Sequence, residues 1–308
     1  MDKMEPKSLG PLTLFVERRF PLEMNVTLPE IRALYDNGKA GRWNPLRDVD
    51  WSALGADGYD APVREAARRV WSRRAWLEAT GLTETPALIV RLCMEIGREI
   101  DAKFYLTTRN TEEAWHVEAF DMIAEAFGGR FVAPSNAAHE DVYNRNLHRK
   151  VLDATQHLDA YVAAHAAFED GLDLELAKAW RNAATNPAIA KLLDYVVADR
   201  ERHAAFGWLY LESRAKDWTD EDRTKIADEL VAYVNKVLLK GYQCPWLCEE
   251  DARAEAEAEE SLVGTGLGVA GREVEAEVIA AYVANARERL AEWGVDLPMI
   301  ETNRMPAF

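Results

Sequence analysis

From Asp60 onward the chain reads as long amphipathic stretches separated by helix punctuation, with no β-branched alternation of useful length between them. Asp60 is placed to cap a helix that has Pro62 in its first turn and runs through VREAARRVWSRRAWLEA to Gly81. TETPALIVRLCMEIG follows, either continuous with it across a kink at Pro86 or restarted by Thr83. AKFYLTTRNTEEAWHVEAFDMIAEAF then stops at Gly128-Gly129. A helix from about Asn144 to Asp170 is carried on by LDLELAKAWRNAA to the Asn186-Pro187 break, and AIAKLLDYVVADRERHAAFGWLYLESRAK forms the fourth. Long helices at such regular spacing fold most simply as an all-α four-helix bundle. Two further helices, about Asp220 to Gly241 and Ala276 to Trp293, complete the reading. The expected organisation is an irregular arm over 1–60 with one short helix near Leu28 to Asn37, a bundle over 61–215, and auxiliary helices over 216–308, one domain overall.

Composition narrows the partners. Lys and Arg number 37 against 53 Asp and Glu, a net charge of −16, which opposes nucleic acid and anionic membrane. No run of apolar residues is long enough to span a bilayer, and MDKMEPKSLGPLTLF has no apolar signal region, so the expectation is a cytoplasmic protein. Cys93, Cys244 and Cys248 read as structural thiols, not a disulfide framework. EEDARAEAEAEES reads as a solvated acidic helix, and GTGLGVAG lacks the preceding strand and following Lys-Ser/Thr of a phosphate loop.

NTEEAWHVEAF places Glu113 three residues and Glu112 four residues before His116, so a carboxylate and an imidazole share one helix face. Such mixed oxygen and nitrogen donors suit divalent iron or manganese. Glu84 lies in otherwise apolar TETPALIV, and Glu169 lies in an alanine-rich helix with His203 following on the next. The separations from Glu84 to His116 and from Glu169 to His203 are nearly equal, which is how a ferritin-like bundle builds a dinuclear site from two helix pairs.

The order Glu84, TEEAWH, FEDG, DRERH resembles the ferritin-like diiron-carboxylate oxygenases, in particular the hydroxylase components of bacterial multicomponent monooxygenases of the methane and toluene type. The resemblance covers 83–207 and implies that Glu84, Glu113, His116, Glu169 and His203 are metal ligands for one or two iron ions, with manganese as the alternative metal. It implies that Glu112 and Asp199 are acceptors that fix the imidazole tautomers, with Arg202 in the same network. Asp173, one helical turn after Glu169, takes a place where those oxygenases often have a threonine beside the oxygen pocket.

The departure is Arg200, which stands where the pattern has a sixth ligand, Glu. Four buried carboxylates balance two divalent ions, whereas Glu84, Glu113 and Glu169 with Arg200 sum to −2 and balance one. Three arrangements follow. Arg200 replaces one metal and pairs with Glu169; or it swings out while Glu201, Asp199 or His165 completes a dinuclear centre; or salt bridges hold an empty site. His165, four residues before Glu169, is equally readable as an extra ligand, a partner of Glu169, or a histidine satisfied by backbone. The function these readings imply is an oxidase or oxygenase that uses O2 on a small organic substrate, fed by a reductase or electron-donor protein and assembled as a homodimer. Arg200 would bind a substrate carboxylate or an oxygen-derived anion. The alternative is a catalytically degenerate, ferritin-like partner subunit with a role in assembly.

Overall fold

The computed structural model describes residues 25–95 and 100–308, together with the backbone of Ser8–Leu9 and Leu12–Thr13, which pair as two short antiparallel strands. Most of the expected arm before residue 25, including the stretch inspected for a signal sequence, lies outside the described residues. Among the described residues eleven α-helices follow, beginning with α1 (Pro29–Ala40) and α2 (Ala61–Met94). The Asp60 carboxylate caps α2 by accepting from the Val63 N–H at 3.0 Å. Pro86 neither ends nor restarts α2. The carbonyl that its missing N–H leaves over belongs to Leu82, which is exposed to solvent.

Next come α3 (Ile100–Ala126), closed by Gly128 and Gly129 at positive φ, and the short α4 (Ala137–Tyr143) and α5 (Leu147–Leu152). The continuous helix expected from Asn144 to Asp170 is broken at 153–157. There Asp153 accepts from the Thr155 N–H and hydroxyl, both at 2.8 Å, and the buried Arg91 guanidinium takes up the carbonyls of Val151, Asp153 and Gln156. One long side chain thus satisfies the backbone groups that the break exposes. The chain resumes as α6 (Leu158–Val162), passes through a π-helical turn at Ala163–Phe168, and continues as α7 (Glu169–Ala183). Asn186 caps α8 (Pro187–Ala215) through the N–H groups of Ala188 and Ile189.

Helices α2, α3, the π turn with α7, and α8 form the four-helix bundle, with α1 laid across α3 and α8. Trp71, Tyr105, Phe120, Phe168 and Phe206 fill its interior. The last third adds α9 (Asp220–Lys236), which starts with a Thr219 and Asp222 capping box, then α10 (Glu249–Leu262) and α11 (Arg272–Glu292). Acidic α10 is not solvated all round, because α2 presents arginines to it. Glu259 is buried against Arg73, and Glu255 accepts from the Ser135 N–H at 3.0 Å with Arg69 3.5 Å away. In the Gly-rich run, Gly266 and Gly268 offer carbonyls to Asn186 N–H and to Arg74, so the segment ties the α7–α8 connection to α2. Cys93, Cys244 and Cys248 carry no disulfide, and among the described residues no helix is long and apolar enough to cross a membrane.

The closest approach within the bundle sits beside the polar interior. A Cβ added at Gly207 of α8 would lie 1.7 Å from the Ala166 carbonyl oxygen in the π turn. Backbone cannot yield as a side chain can, so Gly207→Ala is expected to cost about 3 kcal/mol or more of stability, at the upper end for overpacking. Urea denaturation checks it, and a loss below about 1 kcal/mol would show that α8 and the π turn are not in contact there.

Candidate metal centre

Two imidazoles face each other across the bundle, with ring centroids 6.0 Å apart: His116 on α3 and His203 on α8. Each is strapped to the other's helix. The His116 Nε2 lies 3.0 Å from Asp199 Oδ2 on α8, and the His203 Nε2 lies 3.0 Å from Glu112 Oε2 on α3. Arg202 joins both acceptors, pairing with Glu112 at 2.6 Å and with Asp199. Trp43, carried by the chain after α1, donates its indole N–H to Asp199 at 2.8 Å and stacks on Tyr195. A carboxylate at Nε2 fixes the orientation of each ring.

The α2 carboxylate that meets His116 is Glu78, 3.2 Å from Nδ1, and not Glu84. The antiparallel register explains this. Glu113 accepts from the Thr85 hydroxyl at 2.8 Å and sits over Gly81, where an added Cβ would lie 2.7 Å from the carboxyl carbon. His116, one turn further along α3, therefore faces one turn earlier on α2. Glu84 lies instead at the cavity's edge, 3.3 Å from Arg145.

Three guanidiniums enter the interior, each onto carboxylates. Arg200 points in, pairs with Glu78 and donates to the Asp173 carbonyl at 2.8 Å, so the expected pairing with Glu169 is not made. Arg145, from the α4–α5 connection, takes Glu169 at 2.6 Å. Arg109, four residues before Glu113, bridges Glu113 at 2.8 Å to Asp170 on α7. His165 is a partner of Glu169, with Nδ1 3.1 Å from it and Nε2 3.3 Å from Glu229, which Lys150 also holds. Glu201 is exposed and does not reach the cavity, so it offers no substitute ligand.

The space left between these groups is about 50 Å³, room for an ion and little else. Among the described residues, no three Asp, Glu, His or Cys side chains converge on one point as they stand. The ion-pair network nevertheless leaves donors over. Glu113 Oε2 is buried without a hydrogen bond, and His203 lines the cavity with only its Nε2 hydrogen-bonded among the described residues.

Charge is unevenly matched here. Glu78, Glu84, Glu112, Glu113, Glu169, Asp170, Asp173 and Asp199 face Arg109, Arg145, Arg200 and Arg202, which leaves four negative charges with the histidines neutral. Protons take up part of that excess. Burial alone would lower His116, but Glu78 and Asp199 on its two nitrogens outweigh it and hold the ring at about 9. His165 is likewise raised by Glu169 and Glu229 against its burial. Burial pushes Asp173 up to about 7, against the pull of Arg200. Burial would also raise Glu78, yet Arg200 and His116 hold it below the usual carboxylate range.

Glu78, Arg109, Arg145, Asp170, Glu229 and Trp43 were not marked by the sequence motifs. Arg109 had a signal, its spacing of four from Glu113, and Glu78 lay one to two turns before Glu84 on the same helix. Arg145 had none, because it reaches the interior from a loop.

No family model matches the chain, and no curated protein matches it. Solved structures do. An R2-like ligand-binding oxidase with an aerobically reconstituted metal cofactor after photoconversion superposes with a TM-score of 0.65 at 18% identity, over 84% of this chain and 92% of that one. The same kind of oxidase with an aerobically reconstituted Mn/Fe cofactor gives 0.62 at 19% identity, over 84% and 92%. A point variant of it gives 0.63 at 18%, over 84% and 93%. These similarities establish the class of the fold, the ferritin-like helical bundle shared with R2-like oxidases.

One consequence concerns stability. Burial would raise Glu229, but hydrogen bonds from His165 and Lys150 prevail and hold it at about 2, below the ordinary 4.5. A depressed folded value stabilises above the unfolded value, and the contribution is lost as pH falls through the folded one. Glu229→Gln is therefore expected to be less stable than the native protein at pH 6, with the gap narrowing as pH falls from 4.5 toward 2. Chemical denaturation midpoints across that range test it, and a gap independent of pH would contradict the assignment.

Proposed function

We propose that this chain is a non-haem metal oxidase or oxygenase whose buried centre takes one iron or manganese ion, with the inward guanidiniums standing where further cationic charge is needed. The observation that carries the reading is the pair of crossed straps, Asp199 on His116 and Glu112 on His203, which fix the two rings 6.0 Å apart with His203 lining a small cavity. The residual acid excess and the unpaired Glu113 oxygen point the same way. Glu78, Glu113, His116 and His203 would hold the ion, a donor set of carboxylate and imidazole that suits divalent iron or manganese. The metal-bearing R2-like oxidases that share the fold supply an analogy at this level.

Bound there, such an ion supplies one-electron chemistry with O2. The protein supplies the surroundings. Phe120 and Phe206 are fully buried in the same bundle and help keep bulk water from the centre. Arg200 holds Glu78 and presents a fixed cation for an anion arising beside it. Asp173, close to neutral in its proton affinity, can hold or release a proton next to Arg200 at physiological pH. The reaction would draw on a small organic substrate and an electron-donor protein.

A second reading has its own observation. Arg109, Arg145 and Arg200 are already paired with Glu113, Glu169, Glu84 and Glu78, and no three donors converge among the described residues, which is what a ferritin-like partner subunit that has lost its metal would show.

Elemental analysis of protein expressed with iron and manganese present separates the two. The expected result is about one ion per chain, falling to near none in His116→Ala, with O2 consumption lost in parallel. In Arg200→Glu, which restores the missing carboxylate, the content is expected to rise toward about two ions. No metal in the native protein would favour the partner-subunit reading and end the oxidase proposal.

A further inference from the structure

A second cavity, of about 340 Å³, lies against the buried centre and shares Thr80 and Glu84 with it. Exposed Thr83, Asn144 and Asn146 form part of its rim, so it opens to solvent. Two of its walls are aromatic. Trp76 and Tyr143 meet edge to face, with centroids 5.8 Å apart at 78°. The Trp76 indole N–H is engaged with the Phe131 carbonyl at 3.2 Å and the Tyr143 hydroxyl is buried, so both residues offer ring surface to a guest. Among the described residues lining this cavity, Glu84 is the sole Asp, Glu, Lys or Arg.

Glu84 also differs from the other interior carboxylates. Its side chain is 17% exposed, against 4% for Glu113 and 7% for Glu169. Its one guanidinium partner is shared unequally, since Arg145 lies 2.6 Å from Glu169 but 3.3 Å from Glu84. A partly exposed carboxylate that shares its guanidinium with Glu169, in a cavity also lined by two aromatic residues, matches the recognition chemistry of an organic cation.

We infer that this cavity is the substrate entrance of the buried centre and that it selects a small organic ammonium compound, an arylalkyl- or alkylamine, with Glu84 as the specificity-determining residue. The inference rests on the oxidase reading for the word substrate. The ammonium site itself stands on Glu84, Trp76 and Tyr143. The cavity is at the small end of the range for organic ligands and admits a single ring with a short arm. The ammonium group would pair with Glu84 while the ring lies along Trp76 and Tyr143. Asn144 and Asn146 add neutral amides at the rim, which His148 also lines.

Titration calorimetry of the full chain with benzylammonium, benzyl alcohol and benzoate tests this, in both metal-depleted and iron-loaded protein. Benzylammonium is expected to bind about tenfold tighter than benzyl alcohol, the preference of one charge-assisted contact with an aromatic face. Glu84→Gln, close to isosteric, is expected to erase that preference. Trp76→Leu, which leaves the interior ion pairs alone, is expected to weaken benzylammonium several-fold, and unchanged melting temperatures show that both variants fold. Equal binding of all three probes, binding by none, or a preference for benzoate would overturn the inference, the last because Arg145 would then govern the cavity. Preferred ammonium binding without O2 consumption in the iron-loaded protein supports the site and counts against the oxidase reading alone.

Discussion

Charge that is taken out of water has to be matched where it ends up, and the interior of this bundle is arranged around that requirement. An unpaired ionised carboxylate in a low-dielectric core costs several kcal/mol, and this core draws eight carboxyl groups from four helices. Arg200 spans from α8 to Glu78 on α2, Arg109 from α3 to Asp170 on α7, and Arg145 from a connecting loop to Glu169 and Glu84. Each ion pair therefore also joins two elements. The same contacts that neutralise the interior fix the register of the helices, and a slip of one turn would strand several charges at once.

The histidine straps extend this logic to the fold's outer parts. Asp199 accepts from His116, Arg202 and the Trp43 indole, so the chain after α1 is tied to the bundle through the residue that orients an imidazole. On the other side, Glu229 of α9 and Lys150 of α5 reach His165 in the π turn, which in turn holds Glu169. His165 and Glu169 meet through their i,i+4 spacing at the end of the π turn, and Gly207 is what allows α8 to pass that turn. The chain after α1 and the added helices are thus each tied to the bundle through its interior histidines and acids.

Much of the architecture was legible in the sequence. The caps at Asp60 and Asn186, the Gly128-Gly129 stop and the amphipathic runs between them delimit α2, α3 and α8 within a few residues, because capping and periodicity act over one or two turns. The break at 153–157 was not legible, since its cause is Arg91, sixty residues away in sequence. The burial of one face of α10 was hidden for the same reason, as Arg69 and Arg73 come from α2.

By itself the sequence determined that acids and histidines would line the inside of a helical bundle, and that Arg200 would stand in the place of an acid. Spacings of three and four residues are local and fix which side chains share a face. Only the tertiary structure decided which cation meets which acid. Whether His116 faces Glu78 or Glu84 depends on the sliding register of α2 against α3, set by Gly81 and Glu113. The arrival of Arg145 depends on a loop whose path follows from packing, with Asn146 in the left-handed region. Helical periodicity carries no information about either, because register and loop path are properties of two elements in contact.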